Sequence, residues 1–144
     1  LVVVAGIVSD AIGTAATAAD VVPFNAMAAK KIRGASQAVR IVRNADLVAN
    51  LTADVVGDIA GTLSGAIGAS IVYTFYARYS MFTVVDTVLL GAAMTSLIAA
   101  VTVGGKTIGK SIAINNANSI ILKVAEVLRW WENLTGMELF KGRR

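Results

Sequence analysis

Two carboxylates four residues apart, Asp54 and Asp58, are the chain's most suggestive chemical pair. On a helix, i and i+4 share one face, so both acids would point the same way. Hard oxygens of this kind bind Mg²⁺, Ca²⁺ or Mn²⁺. The chain has no Cys and no His, so a thiol nucleophile, an imidazole base, a Cys/His zinc site, a His-ligated haem and a Ser-His-Asp triad are all excluded. A proton relay through Asp54 and Asp58 needs a further acid or His. Asp10 and Asp86 are further candidate acids, at a depth the sequence does not fix, but no constellation supports catalysis, and the chain is read as not an enzyme.

These acids must be positioned by very apolar elements. The 144 residues are 56% hydrophobic and only 15% charged, with mean hydropathy +0.71. A soluble domain is about 25% charged. So little charge cannot cover a globular surface, and the expected class is an all-α integral membrane protein. It forms a single membrane domain over 1–144, with three transmembrane helices plus amphipathic juxtamembrane helices.

The first apolar stretch, about 1–22, reaches roughly 33 Å as a helix, enough for a hydrocarbon core of about 30 Å. It contains Asp10, and Pro23, the sole proline, marks its break. Within the residues given, no basic n-region precedes the apolar run and Asp10 interrupts it, so the run is expected to be a span rather than a cleaved signal peptide. The segment 26–46 is basic and amphipathic, with Ile32, Ala35, Val39 and Val42 on one face against Lys31 and Arg40 on the other. Its expected place is against the membrane surface.

The second span, about 47–77, carries Asp54 and Asp58. Gly57, Gly61 and Gly65 follow at four-residue spacing, which lets helix backbones approach closely in lipid. That row serves packing within the chain or a homodimer contact. Tyr73, Tyr76 and Tyr79, with Phe75 and Phe82 around Arg78, read as an aromatic belt at a membrane surface. The third span, about 81–105, begins near Asp86. A helix over 111–132 repeats Ile120, Ile121, Val124, Val127, Leu128 and Trp131 at 3–4 residue steps. It is too polar to be a fourth span, and Trp130 and Trp131 suit the headgroup boundary.

The net charge is +4, but the basic residues cluster after the first and third spans. That is the pattern of the positive-inside rule rather than of a nucleic-acid surface. The expected location is the cell membrane, multi-pass, with the N-terminus outside and the C-terminus cytoplasmic.

Two stretches resemble a known family. Val103-Gly104-Gly105-Lys106-Thr107-Ile108-Gly109-Lys110-Ser111 resembles the G-E-[IL]-x-P-K-[TS] signature that ends the third span of the CNNM/CorC-type (cyclin M-like) magnesium/cobalt transporter membrane domain. Gly105 matches its Gly and Lys110 its Lys. Asn116-Ala117-Asn118-Ser119-Ile120 is similar to the downstream N-A-x-x-I pattern. Arg43 to Asn50, running into Val56-Gly57-Asp58, resembles the basic connector and the I-G-N of the second span. The order of elements agrees over nearly the whole chain, without the family's CBS domains.

The resemblance implies a homodimeric three-span domain in the lipid bilayer that moves Mg²⁺ or a similar divalent cation. It also implies departures. Lys106 stands where the family has its cation-site Glu, Gly109 where it has Pro, and Asp58 where it has Asn. Gly13-Thr14 is a loose match to the small-residue site of the first span. Lys106 either replaces the metal, its ammonium held by Asp58 and Asp54, or snorkels to the surface. Asp58 and Asp54 are the metal-ligand candidates, and Gly105 and Lys110 complete the candidate cation or ion-pair set. A diverged protein of this kind serves as a transporter, or as a structural or partner subunit for another membrane or cytosolic protein. The alternative is a holin-like, lesion-forming membrane protein, which also has short spans and a basic tail.

Overall fold

The computed structural model describes residues 1–78 and 84–136, and these are helical throughout apart from short joints. Helix α1 covers Val2–Ala18. It ends where Ala19 and Asp20 turn extended. The Asp20 side chain then accepts a hydrogen bond from Val22 N at 3.0 Å, capping helix α2, Val21–Ala29. The bend between the two is 83°. The first break therefore falls at Ala19-Asp20 rather than at Pro23. Pro23 lies in the first turn of α2, where its missing N–H costs nothing.

The expected single helix over 26–46 is divided. Lys31 (φ 57) and Gly34 (φ 78) take left-handed conformations and reverse the chain into α3, Ala35–Arg43. The α3 face that packs inward is Ala35, Ala38 and Ile41, while Ile32 is exposed. Of the expected face, Ala35 is buried and Val39 and Val42 pack partly buried against the core, so Ile32 alone is left outside.

From Ala45 to Arg78 the chain is one 34-residue helical rod. It comprises α4 (Ala45–Ala49), a π-helical segment (Asn50–Val56) and α5 (Gly57–Arg78). The π segment lies where α1 presses on the rod. A Cβ on Gly13 would sit 2.6 Å from Thr52 Oγ1 and 3.2 Å from the Ala49 Cα, so only glycine admits this approach. Thr52 Oγ1 meanwhile donates to the Val48 carbonyl at 2.7 Å.

Helix α6, Val84–Asn115, runs through the Gly104-Gly105 pair and past the expected end of the third span at 105. Gly105 and Gly109 do not break it because they face α1: the side chain of Ile7 lies against both, and Ala11 against Gly109. The break comes at Asn116, and α7 follows over Ala117–Thr135, closed by left-handed Gly136.

These contacts set the directions. Gly6 meets Ala60 while Gly13 meets Ala49, so α1 is antiparallel to the second rod. Ile7 meets Gly105 and Asp10 meets Lys110, so α1 is parallel to α6. The buried core is Ala15, Ala16, Phe24, Ala38, Ile41, Val48, Ala113, Ala117, Ile121 and Ala125. It lies at one end of the α5–α6 hairpin, where α1, α2, α3 and α7 converge.

The rod Ala45–Arg78 and the segment Asp86–Asn115 are each long and apolar enough to cross a membrane; the bent α1–α2 pair is a third candidate. None of the apolar window of α6 is buried inside the chain. A long apolar helix that its own fold covers only in part suits lipid or another protein around the rest of it.

Candidate functional site

The ionic centre of the fold lies between α1 and α6. Gly6, Asp10 and Gly13 share one face of α1, and all three are buried. The glycines let the rod approach, and that approach seals Asp10 from solvent. The Asp10 side chain is 5% exposed, and its Oδ2 lies 3.5 Å from Lys110 Nζ, whose side chain is half exposed. That distance supports an ion pair, but among the described residues Oδ2 has no hydrogen-bond donor. Thr14, one turn on, directs its hydroxyl to the Asp10 main-chain carbonyl at 2.9 Å rather than to the carboxylate.

Lys106 lies one turn before Lys110, on the same side of α6. Its ammonium is against the second rod, 3.2 Å from where a Cβ on Gly57 would be. Gly57 thus opens a slot that the lysine fills.

The structure does not bring Lys106 to either expected carboxylate. Asp54 and Asp58 are exposed, and among the described residues neither is ion-paired with a lysine. The main-chain carbonyl of Asp58 accepts the Thr62 hydroxyl at 2.9 Å. Among the described residues no group of three or more His, Cys, Asp or Glu could hold a metal. The centre is the buried Asp10 carboxylate with the Lys110 ammonium, and Lys106 lies one turn away with its ammonium against Gly57. A single carboxylate paired with a lysine is a poor site for Mg²⁺, which asks for near-octahedral oxygens.

The glycine row divides. Gly57 is buried, together with Ala60, Ser64 and Gly68, whereas a Cβ on Gly61 or on Gly65 would meet nothing within 4 Å. Tyr73 and Tyr76 are exposed, as are Trp130 and Trp131. Tyr79 and the basic tail lie outside the described residues.

A second polar cluster docks α7 on α3. Arg40 Nη2 donates to both Glu132 carboxylate oxygens, at 2.9 and 2.8 Å, and Gln37 Nε2 donates to Oε2 at 3.0 Å. Asp20 N donates to Asn118 Oδ1 at 3.0 Å, which ties the α1–α2 corner to the start of α7.

The sequence points to Lys110 as an ion-pair candidate and to Asp10 only as a further acid, without joining the two. The signal was present: Gly6, Asp10 and Gly13 fall at i, i+4 and i+7, an acid flanked by small residues on one helix face. No family model, curated protein or solved structure matches the chain.

Proposed function

We propose that the chain is a three-span integral membrane domain, similar to the membrane domain of CNNM/CorC divalent-cation transporters, in which lysine ammonium groups take the place of a transported cation. On this reading it works as a homodimeric structural or partner subunit in the cell membrane, with the α2–α3 segment and α7 on the cytoplasmic side. The observation that carries the reading is the Asp10–Lys110 pair. A carboxylate held inside an apolar helix bundle needs a counter-ion, and here a side chain supplies it.

The test is reconstitution into liposomes loaded with a Mg²⁺-sensitive dye. The expected result is Mg²⁺ entry no faster than into protein-free liposomes. Mg²⁺ entry above that level, with a larger trapped dye retained, would overturn the subunit reading in favour of transport. Release of the larger dye would identify a lesion former of the holin-like kind.

A further inference from the structure

The chain reverses between α2 and α3, and α7 crosses that reversal. A Cβ on Gly34 would sit 3.0 Å from Glu126 Cγ and 3.2 Å from Glu126 N. This close crossing leaves an open cleft beside it of about 460 Å³, lined by Arg33, Glu126, Arg129, Trp130 and Asn133. The volume is in the range of ligand sites. Its lining brings together two guanidinium groups, an indole, an amide and one carboxylate.

The arginines are available. Glu132 is engaged by Arg40 and Gln37, and among the described residues neither Arg33 nor Arg129 is ion-paired. Lys30 and Lys31 stand exposed immediately before Arg33. A guanidinium fork matches phosphate oxygens in pairs. Trp130 is 63% exposed, and an exposed indole beside arginines is suited to the headgroup layer.

We propose that this cleft binds the headgroup phosphate of an anionic phospholipid between Arg33 and Arg129, with Trp130 reaching toward the acyl boundary. Among the residues that line the cleft, Glu126 offsets one of the two arginines and leaves a net single positive charge, with Lys30 and Lys31 outside it. That balance favours a singly charged phosphodiester such as phosphatidylglycerol over a dianionic phosphate monoester. The inference rests on the membrane reading above.

The experiment uses the full chain reconstituted in phosphatidylcholine vesicles, with and without one part in five of phosphatidylglycerol. Co-flotation with pure phosphatidylcholine vesicles tests the membrane reading alone. If the chain does not float, both readings fall. If it floats, phosphatidylglycerol should raise its melting temperature, and the double variant Arg33→Lys, Arg129→Lys should lose most of that rise. A basic side chain near an anionic surface contributes about fivefold to binding through charge alone, and lysine preserves that contribution. An unchanged rise in the lysine variant therefore overturns the site and leaves diffuse attraction.

A rise of equal size with glycerol phosphate or inorganic phosphate in solution overturns the lipid assignment in favour of a soluble phosphate ligand. As an independent readout, Trp131→Phe leaves Trp130 as the sole indole, since the chain has two Trp. Brominated phosphatidylglycerol should quench it more than brominated phosphatidylcholine at the same fraction, and equal quenching counts against the cleft.

Discussion

The Asp10 carboxylate and the Lys110 ammonium face each other at 3.5 Å across the α1–α6 contact, with the acid buried and the lysine half exposed. The pair is asymmetric. Lys110 can reach solvent without Asp10, whereas Asp10 has no such exit.

Removing the lysine should therefore cost more than removing the acid's charge. Lys110→Met strands a buried carboxylate. A fully buried pair would lose about 3–5 kcal/mol, and the lysine's exposure reduces this to about 1–3 kcal/mol. Asp10→Asn removes the charge that needed compensation and should cost less than Lys110→Met. Unfolding in detergent reads both. An Asp10→Asn variant less stable than Lys110→Met would mean that the carboxylate has another partner.

Lys106 lends itself to a gain-of-function test. Lys106→Glu places a second carboxylate on the α6 side that carries Lys110 and restores the acid of the resembling signature. Combined with Lys110→Met, it would leave Asp10 and the new Glu without either lysine. This double variant should melt at a higher temperature in millimolar Mg²⁺ than without it, by linkage of ligand to fold, while the wild type should not respond. A Mg²⁺-stabilised wild type would return the chain to the transporter reading.

Glycine substitutions should separate contacts within the chain from contacts between chains. Gly13→Ala forces a methyl against Thr52 Oγ1 and the Ala49 backbone, and overpacking of this kind costs about 1–3 kcal/mol. Gly61→Ala and Gly65→Ala meet nothing within 4 Å and should leave the monomer's stability unchanged or slightly raised by helix propensity. Gly61→Leu should nevertheless weaken self-association if a second copy packs there. Crosslinking in lipid that is identical for wild type and Gly61→Leu would remove this row from the dimer contact.

Much of this architecture was legible because apolar runs longer than about 18 residues have few alternatives to a spanning helix. The joints were harder. Pro23 reads as a breaker, yet it fits the first turn of α2, and the capping Asp20 sets the break instead. Gly104-Gly105 reads as the end of a span, but Gly105 accommodates Ile7 and the helix continues. The spacing of Asp54 and Asp58 reads as one α-helix face, yet Asp54 lies in the π-helical segment of the rod and Asp58 in α5. Which side of that rod faces α1 is fixed by Gly13, Gly57 and Ala60, and this tertiary choice leaves both acids outside. Gly6, Gly13, Gly57, Gly105 and Gly109 mark helix contacts while Gly61 and Gly65 do not, because the partners of such residues come from far along the sequence.

The Arg40–Glu132 contact should act as the latch of α7. Both side chains are largely buried, at 21% and 9% exposure, and the guanidinium reaches both carboxylate oxygens. Arg40→Met should cost about 1.5–3 kcal/mol, as for hydrogen bonds to charged groups. It should also raise amide exchange over Ala117–Thr135 more than over α5. Glu132→Gln keeps the shape and the Gln37 neighbour, so it should cost less. Exchange that rises equally in α5 and α7 would show that the contact supports the whole fold rather than the docking of one helix.

A chain with no Cys permits a direct measurement of its orientation in the membrane. Basic segments stay on the cytoplasmic side during insertion, and the cluster Lys30, Lys31, Arg33, Arg40 and Arg43 is borne by the α2–α3 region, at the core end of the hairpin. Thr74 is exposed near the far end of α5, close to the pole opposite Ser36. Single variants Ser36→Cys and Thr74→Cys should therefore differ in intact cells. A membrane-impermeant maleimide added outside should label Thr74→Cys and spare Ser36→Cys until the membrane is permeabilised. Both positions are exposed, so protection reports the membrane and not burial in the fold. The reverse pattern would invert the topology. Labelling of both from outside would mean that the rod Ala45–Arg78 does not cross the bilayer, and the three-span reading would fall with it.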